Sequence, residues 1–112
     1  FDDAAFGISC LETALASLTT LISRGELDLP STIRALTSGP AGVFRFPAGI
    51  GTLSPGARDI TVFDPSHRWT VEPRAFASKG RNTPLAGQEL TGAVRAVIFD
   101  GLLAFELEAA GA

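Results

Sequence analysis

Residues 93–106 read AVRAVIFDGLLAFE, and this stretch decides how the second half of the chain folds. Two runs of mostly apolar residues, 93–99 and 102–106, flank the dipeptide Asp100-Gly101. A two-residue type I′ turn requires positive φ at both central positions, and Asp-Gly is among the dipeptides that adopt it most readily. The sequence therefore predicts a β-hairpin whose turn lies at Asp100 and Gly101.

Two further strands are predicted upstream of this hairpin. Residues 60–63 are β-branched and aromatic, and residues 68–71 alternate polar and apolar side chains. A turn is predicted between the two runs, and it contains His67, the one histidine of the chain. We interpret His67 as a solvated turn residue rather than a metal ligand, since a metal site needs several ligands that converge.

The first part of the chain is predicted to be helical. Ser9 and Glu12 have the spacing of a capping box, in which each side chain bonds the backbone amide of the other residue. The helix that follows carries apolar residues at helical spacing, and we expect this face to point inward: Leu11, Leu15, Leu18 and Ile22.

Two shorter helices are predicted after the first one. One opens at Pro30, with Ile33 and Leu36 inward, and the other opens at Pro40. Residues 47–56 are rich in glycine and proline and are predicted to form a connection between helices and strands. Because the helices come first and the strands afterwards, the sequence predicts the α+β class.

Composition bounds the class of protein and its partners. The chain has 112 residues, of which 46% are hydrophobic and 19% are charged, as in one globular domain. A net charge of −3 is no footprint for nucleic acid or an anionic membrane, so neither partner is expected. One cysteine and one histidine cannot build a Cys/His zinc site. The chain contains no methionine, so we expect it not to begin at its own initiator.

Few side chains are candidates for chemistry. Asp2 and Asp3 are interpreted as a solvated pair, and Cys10, which has no partner base in the pattern, as a buried small hydrophobic residue. Lys79 and Arg81 could bind an anion, but a loop with two cations is more often simply solvated. From residue chemistry alone, the sequence indicates an α+β domain with no assignable activity.

Four stretches of the chain, in this order, resemble motifs of one enzyme family. Residues 6–14 (FGISCLETA) resemble F-G-[IV]-x-G-L-E-T-A, and residues 78–87 (SKGRNTPLAG) resemble S-K-G-x-N-T-P-[FL]-x-G, and both motifs are typical of dihydroorotases. Residues 51–64 and 92–101 resemble a signature and a closing hairpin of the wider cyclic amidohydrolase superfamily. Cys10 departs from the first motif, which usually has glycine at this position.

The resemblance implies a position within a longer protein. Dihydroorotases join a metal-bearing (β/α)8 barrel to a small β-sandwich made from both chain ends, and a barrel alone takes about 250 residues. The resemblance implies that residues 1–46 are the C-terminal helical part of the metal-dependent TIM-barrel domain. Residues 47–112 would then be the C-terminal strands of the composite sandwich. The metal ligands of the family all precede Phe6, so no catalytic residue and no metal ligand is expected in this segment. Only Phe6 and Gly7, which contact the substrate ring through their backbone in the family, are carried over as site residues.

The activity implied is that of a dihydroorotase, which interconverts dihydroorotate and N-carbamoyl-L-aspartate in de novo pyrimidine biosynthesis by metal-assisted hydrolysis of a cyclic amide. The expected cofactor is zinc in the parent enzyme, with none bound to this segment alone, and the expected location is the cytoplasm. The expected partners are the small-molecule substrate, the N-terminal remainder of the enzyme, further copies of it and, as a further candidate, aspartate carbamoyltransferase.

Two alternatives stay open at this point. The parent could be a non-catalytic dihydroorotase-like subunit that assembles with aspartate carbamoyltransferase, or a hydantoinase or allantoinase of the same superfamily. In each case the segment alone is expected to be inactive. It is also expected to self-associate or to need the rest of the enzyme, because apolar surface and strand edges would be left uncovered.

Overall fold

The computed structural model describes residues 7–107 of the chain. A 3₁₀ turn, Leu11–Thr13, leads into the first helix, and two shorter helices and three strands follow. The bounds are α1 Ala14–Ser23, α2 Leu29–Leu36, α3 Ser38–Val43, β1 Ile60–Thr70, β2 Glu89–Phe99 and β3 Leu102–Glu106, with a second 3₁₀ turn at Pro73–Ala75. The strands form one antiparallel sheet in the order β1-β2-β3. The predicted α+β class is confirmed for the residues described.

The β2–β3 hairpin has the predicted turn. Asp100 and Gly101 have φ values of 49° and 77°, as a type I′ turn requires. The guanidinium of Arg58 donates to the Asp100 carbonyl over 2.9 Å and pairs with the Asp100 carboxylate over 2.8 Å. The carboxylate of Asp59 accepts from the Asp100 amide over 2.8 Å. Arg58 and Asp59 thus join the segment before β1 to the turn of the hairpin.

The two separate strands predicted before and after Asp64 are one strand, β1, so the predicted turn between them is wrong. The carboxylate of Asp64 accepts from the amide of Ser66 over 2.9 Å and from its hydroxyl over 2.7 Å. These bonds, that of the hydroxyl first, lower the pKa of Asp64. The pairing register with β2 shifts after Asp64, and the strand then continues in the same direction. His67 therefore lies half-buried within a strand rather than in a solvated turn.

Helix α1 packs on the sheet with small and polar side chains, so the predicted inward face is wrong. The buried residues of this region are Thr13, Ala16, Thr19 and Thr20. By contrast, Leu11 is 84% exposed, and the other predicted inward residues are only half-buried: Leu15, Leu18 and Ile22. The reason lies at Gly92 of β2, where a Cβ atom would collide with the side chain of Thr19. Helix and strand approach too closely there for large side chains to fit.

Side-chain hydrogen bonds hold α1, β1 and β2 together where the helix approaches Gly92. We call this contact the polar seam and define it by five residues: Thr19, Thr20, Trp69, Thr91 and Gly92. The hydroxyl of Thr20 accepts from the Thr91 amide over 2.8 Å and donates to the Ala16 carbonyl over 2.7 Å. The Thr19 hydroxyl contacts the Thr91 carbonyl, and the Trp69 indole donates to the Gly92 carbonyl over 2.9 Å. Within residues 7–107, every buried side-chain nitrogen or oxygen has a hydrogen-bond partner. Burying polar side chains at this contact therefore leaves no polar group unsatisfied.

Helices α2 and α3 form as predicted but begin and end elsewhere. The carboxylate of Asp28 caps α2 by accepting from the Ser31 amide over 2.9 Å, which lowers the pKa of Asp28. The helix consequently begins one residue before Pro30, and α3 begins two residues before Pro40. Proline suits several positions of a first turn because its missing N–H would have no helical partner there. Leu36, predicted to point inward, is 42% exposed.

The apolar core of the described residues is small and lies beside the polar seam. It consists of Ala16, Val71, Phe76 and Leu90, with Trp69 and Leu85 packed against it. Val71 is the most deeply buried of these, with 1% of its surface exposed. The core therefore joins α1 to the start of β2 and to the loop that holds Phe76, and this loop carries the candidate site.

Candidate functional site

The two segments that carry the dihydroorotase motifs lie against each other. The first segment, residues 7–12, runs into α1, and the second, residues 77–82, belongs to the loop between β1 and β2. The backbone amide of Ser9 donates to the carbonyl of Asn82 over 2.7 Å. The side-chain amide of Asn82 donates in turn to the carbonyl of Gly7 over 2.6 Å. We call the contact between these two segments the motif junction, and we take it as the candidate functional site.

Glu12 makes a further link of the motif junction. Its carboxylate accepts from the backbone amide of Ala77 over 3.1 Å and from that of Ser78 over 3.0 Å, with one oxygen for each. These bonds, that of Ser78 first, lower the pKa of Glu12 below its ordinary value of 4.5. The stabilisation is therefore present above the ordinary pKa and is lost as the pH falls through the lowered pKa. Because the residue is exposed, solvent screens the link and keeps it weak.

The capping box predicted for Ser9 and Glu12 is wrong. The first helical turn begins after Cys10, and no side chain caps it. The Glu12 carboxylate bonds two amides that lie 65 and 66 residues away along the chain, and the Ser9 amide is bound by Asn82. Tertiary partners thus replace the local partners that the spacing indicated.

Two glycines, Gly80 and Gly7, lie at the motif junction. A Cβ atom on Gly80 would meet the hydroxyl of Ser9, so the loop approaches the segment before α1 closely at this point. Gly7 has a φ of 72°, a left-handed conformation that glycine adopts freely. Among residues 7–107, a Cβ atom on Gly7 would meet nothing within 4 Å.

Two grooves adjoin the motif junction. The smaller, of about 320 Å³, is lined by residues 8–12 together with Phe76 and Gly80 among others. Cys10 is exposed and lines the smaller groove, so the expectation that it is buried is wrong. The larger groove, of about 670 Å³, runs between α1 and the sheet and is lined in part by His67 and Phe105.

The predicted site residues are only partly visible in the structure. Gly7 lies at the motif junction, exposed and bonded to Asn82. Phe6, the other predicted substrate contact, lies outside the described residues, as do Asp2 and Asp3. The proposed role of Phe6 and Gly7 therefore stays a prediction, to which the structure adds the surroundings of Gly7.

The two basic residues of the loop, Arg81 and Lys79, differ in their contacts. Arg81 donates to the carbonyl of Pro73 over 2.5 Å, and Lys79 is exposed. Among residues 7–107, no three His, Cys, Asp or Glu side chains come together as a metal site would require. The same range contains no helix with the length and apolar character needed to cross a membrane.

Reasoning from the sequence missed that Glu12 and Asn82 are partners across the motif junction. The sequence pattern assigns Glu12 to a local cap and includes Asn82 only within the motif at residues 78–87. A usable signal existed, since both residues stand in the two segments that carry the dihydroorotase resemblance, residues 6–14 and 78–87. Polar side chains that can bond backbone groups, in two motifs of one family, indicate a contact between those motifs.

Comparisons with known proteins bear on the family. No protein-family model matches the sequence. A dihydroorotase of Syntrophus aciditrophicus is 42% identical over 107 residues, which are 95% of this chain and 25% of the relative. A dihydroorotase of Anaeromyxobacter dehalogenans is 44% identical over 107 residues, 95% of this chain and 24% of the relative. A dihydroorotase-like protein of Pseudomonas putida is 43% identical over 95 residues, 85% of this chain and 22% of the relative.

These similarities extend along nearly the whole chain and are not confined to one motif. The chain spans about a quarter of the length of the curated relatives it matches, which is consistent with a C-terminal segment. This extent of identity confirms the resemblance to dihydroorotases that residues 6–14 and 78–87 carry, and it relates the chain to one segment of these longer proteins.

Proposed function

We propose that the chain is the C-terminal part of a dihydroorotase, which interconverts dihydroorotate and N-carbamoyl-L-aspartate in de novo pyrimidine biosynthesis. The observation that carries the proposal is the motif junction, where Asn82 and Gly7 bond across 75 residues of sequence. Such a contact holds a backbone segment in one position, as a substrate contact through main-chain atoms requires. The relatives named dihydroorotase support the same activity.

The substrate contact is proposed to lie at the backbone of Phe6 and Gly7. Gly7 supports this role because it is exposed and because no other residue of the described range lies within 4 Å of where its Cβ atom would stand. The bond from Asn82 fixes its carbonyl. A ring amide and a carboxylate offer both donors and acceptors to such a backbone, so the chemistry of dihydroorotate suits the site.

Residues 1–46 are proposed to belong to the metal-dependent TIM-barrel domain and residues 47–112 to the composite β-sandwich. The order of elements supports this division, since all α-helices of the described range precede residue 47 and all its strands follow it. Because α1 packs on β2, the two parts would meet at the polar seam. The rest of the barrel, about 250 residues when complete, would come from the N-terminal remainder.

Zinc is the cofactor proposed for the parent enzyme, and its ligands would lie in the N-terminal remainder. Residues 7–107 do not fit a metal centre, since their potential ligands do not converge. Assembly into a homo-oligomer, association with aspartate carbamoyltransferase and a cytoplasmic location stay predictions from the resemblance.

The test uses the intact protein that carries this segment. Dihydroorotate and N-carbamoyl-L-aspartate are supplied in separate assays, and ring opening and closure are followed by the absorbance of dihydroorotate. We expect turnover in both directions, with loss of activity after chelation and recovery on adding zinc. The 112-residue chain alone is the control, and it is expected to be inactive and to hold no stoichiometric zinc.

Three outcomes would contradict the proposal. One zinc ion held tightly by each isolated chain would place a metal site where none is expected. Faster turnover of hydantoin or allantoin than of dihydroorotate would favour the related cyclic amidohydrolases. A zinc-loaded intact protein that leaves dihydroorotate unchanged but binds aspartate carbamoyltransferase would favour the non-catalytic subunit, which the relatives named dihydroorotase do not favour.

A further inference from the structure

The motif junction contains a side chain whose role goes beyond joining two loops. We propose that Asn82 is a positioning residue for substrate binding, which acts through the carbonyl of Gly7. The inference rests on the proposed function, because it takes the backbone at Gly7 as a contact of dihydroorotate. Asn82 itself is not proposed to touch the substrate.

Asn82 is bonded to the segment before α1 at two points. Its side-chain amide donates to the Gly7 carbonyl over 2.6 Å, and its own carbonyl accepts from the Ser9 amide over 2.7 Å. The two bonds enclose the peptide units between Gly7 and Ser9, so this backbone cannot rotate without breaking one of them. Gly7 needs such a restraint because glycine has more backbone freedom than any other residue.

The loop that carries Asn82 is itself held in place from its other end. Glu12 binds the amides of Ala77 and Ser78, and Gly80 packs against Ser9. Residues 79–82 are exposed. Between Phe76 and Leu85, which pack in the apolar core, hydrogen bonds therefore determine where residues 79–82 lie, and Asn82 transmits that position to Gly7.

Because Asn82 is exposed, its positioning role can be distinguished from a purely structural role by measuring fold stability and substrate binding separately. When the Asn82 side chain loses its bond, water can bind the Gly7 carbonyl instead, so the stability of the fold should change little. The direction of the Gly7 carbonyl would then be averaged over several conformations. Substrate binding should weaken because each molecule that binds must first order this backbone again.

The test is Asn82→Asp in the intact protein, with dihydroorotate as the substrate. Aspartate has nearly the shape of asparagine, but it replaces the donor with a carboxylate that repels the Gly7 carbonyl, and the backbone bond to Ser9 remains possible. We expect KM to rise about tenfold while kcat changes less than about twofold, as for an interaction that acts on binding.

Gln88→Glu is the matched control. The Gln88 side-chain amide donates to the Pro84 carbonyl over 3.0 Å, so this variant also exchanges an amide for an acid and also loses a bond to a backbone carbonyl. Its bond lies in the same connection between β1 and β2 but does not involve residues 7–12. We expect its KM to stay within about twofold of the wild-type value, and both variants to keep the wild-type melting temperature.

A second variant keeps the proposal decidable if Asn82→Asp does not fold. Glu12→Gln keeps the side-chain shape but leaves only one good acceptor for the two amides, so the loop loosens from its other end. We expect KM to rise about threefold with kcat nearly unchanged, because the effect on Gly7 is indirect.

Each contrary result overturns either the positioning role of Asn82 or the proposed function. An unchanged KM in folded, active Asn82→Asp would overturn the positioning role and leave the proposed function intact. A fall in kcat at constant KM, or an equal rise of KM in Gln88→Glu, would do the same. A wild-type protein that does not turn over dihydroorotate would overturn the proposed function, and the positioning role would fall with it.

Discussion

The polar seam and the tip of the hairpin lie at opposite ends of β2 and are built in opposite ways. In the polar seam, hydroxyl-bearing side chains are buried and hydrogen-bonded, as for Thr20 against Thr91. The hairpin tip, which we define as Phe99, Leu102, Leu103 and Phe105, consists of apolar side chains on the surface. Phe99 is 67% exposed and Leu102 is 73% exposed.

The comparison shows that the distance between neighbouring backbone segments, more than side-chain polarity, determines which side chains are buried in this chain. At Gly92 the helix comes so close to the strand that only small side chains fit, and their hydroxyls bond the nearby backbone groups. At the hairpin tip no element within residues 7–107 covers the apolar side chains. Exposed apolar groups that lie together mark interaction surfaces, and the chain spans only about a quarter of its relatives. We therefore expect the hairpin tip to be covered in the parent protein.

The largest effect is expected for Gly92→Ala in the polar seam. Gly92 has a φ of 103°, and a Cβ atom there would collide with Thr19. The substitution strains the backbone and separates α1 from β2, so the free energy of unfolding should fall by about 3 kcal/mol. Urea denaturation followed by the fluorescence of Trp69, the one tryptophan of the chain, measures this change.

Gly101→Ala at the hairpin turn is the matched control for Gly92→Ala. Gly101 also has a positive φ, 77°, but the nearest atom that a Cβ would meet, on Arg58, lies 3.6 Å away. Only the cost of the left-handed conformation applies, which is about 1 kcal/mol. Equal losses of stability in the two variants would mean that the close approach at Gly92 is unimportant, and the comparison of the two regions would fail.

An intermediate effect is expected for Thr20→Val. Valine has nearly the shape of threonine, but it leaves the Thr91 amide without the bond that the Thr20 hydroxyl supplies. Because this amide lies at a buried contact, the free energy of unfolding should fall by about 2 kcal/mol. Thr61→Val, at an exposed position of β1, is the control, and it should stay within about 0.5 kcal/mol of the wild type. A stabilising effect of Thr20→Val would show that packing, rather than hydrogen bonding, holds the seam.

The same contrast explains which parts of the fold could be predicted from the sequence. The hairpin was predicted correctly because Asp100 and Gly101 meet the turn requirement by themselves, without distant partners. The buried face of α1 was predicted wrongly because it depends on Gly92, which lies on a later strand and allows the helix to approach closely at Thr19. Apolar spacing marks an amphipathic helix, but it does not say how closely a neighbour will approach.

The candidate site divides in a similar way. Phe6 and Gly7 were singled out only through the family resemblance, since glycine and phenylalanine carry no reactive group. Glu12 was assigned a local partner because the capping-box spacing is satisfied within four residues of sequence. Its actual partners, and the link from Asn82 to Gly7, depend on a loop that follows β1. Contacts between segments this far apart follow from the tertiary fold and not from local spacing.

The smallest effect on stability is expected at the hairpin tip, where the effect on association should be clear. Phe99 and Leu102 pair across the hairpin, and replacing both with threonine removes exposed apolar surface while keeping a residue that favours strands. The free energy of unfolding should change by less than about 0.5 kcal/mol, because little buried surface is lost. Sedimentation velocity over a range of concentrations should show the wild-type chain self-associating and the double variant shifted towards the monomer.

Val43→Thr tests whether association is localised to the hairpin tip. Val43 is 78% exposed on α3. This variant therefore also exchanges an exposed apolar residue for threonine, but on a helix rather than on the hairpin. It should leave the association of the chain unchanged. If Val43→Thr weakened association as much as the double variant, general apolar exposure would be responsible. If the wild-type chain stayed monomeric at high concentration, the hairpin tip would not act as an uncovered interface, and its exposure would be no different in kind from that of scattered apolar residues on any surface.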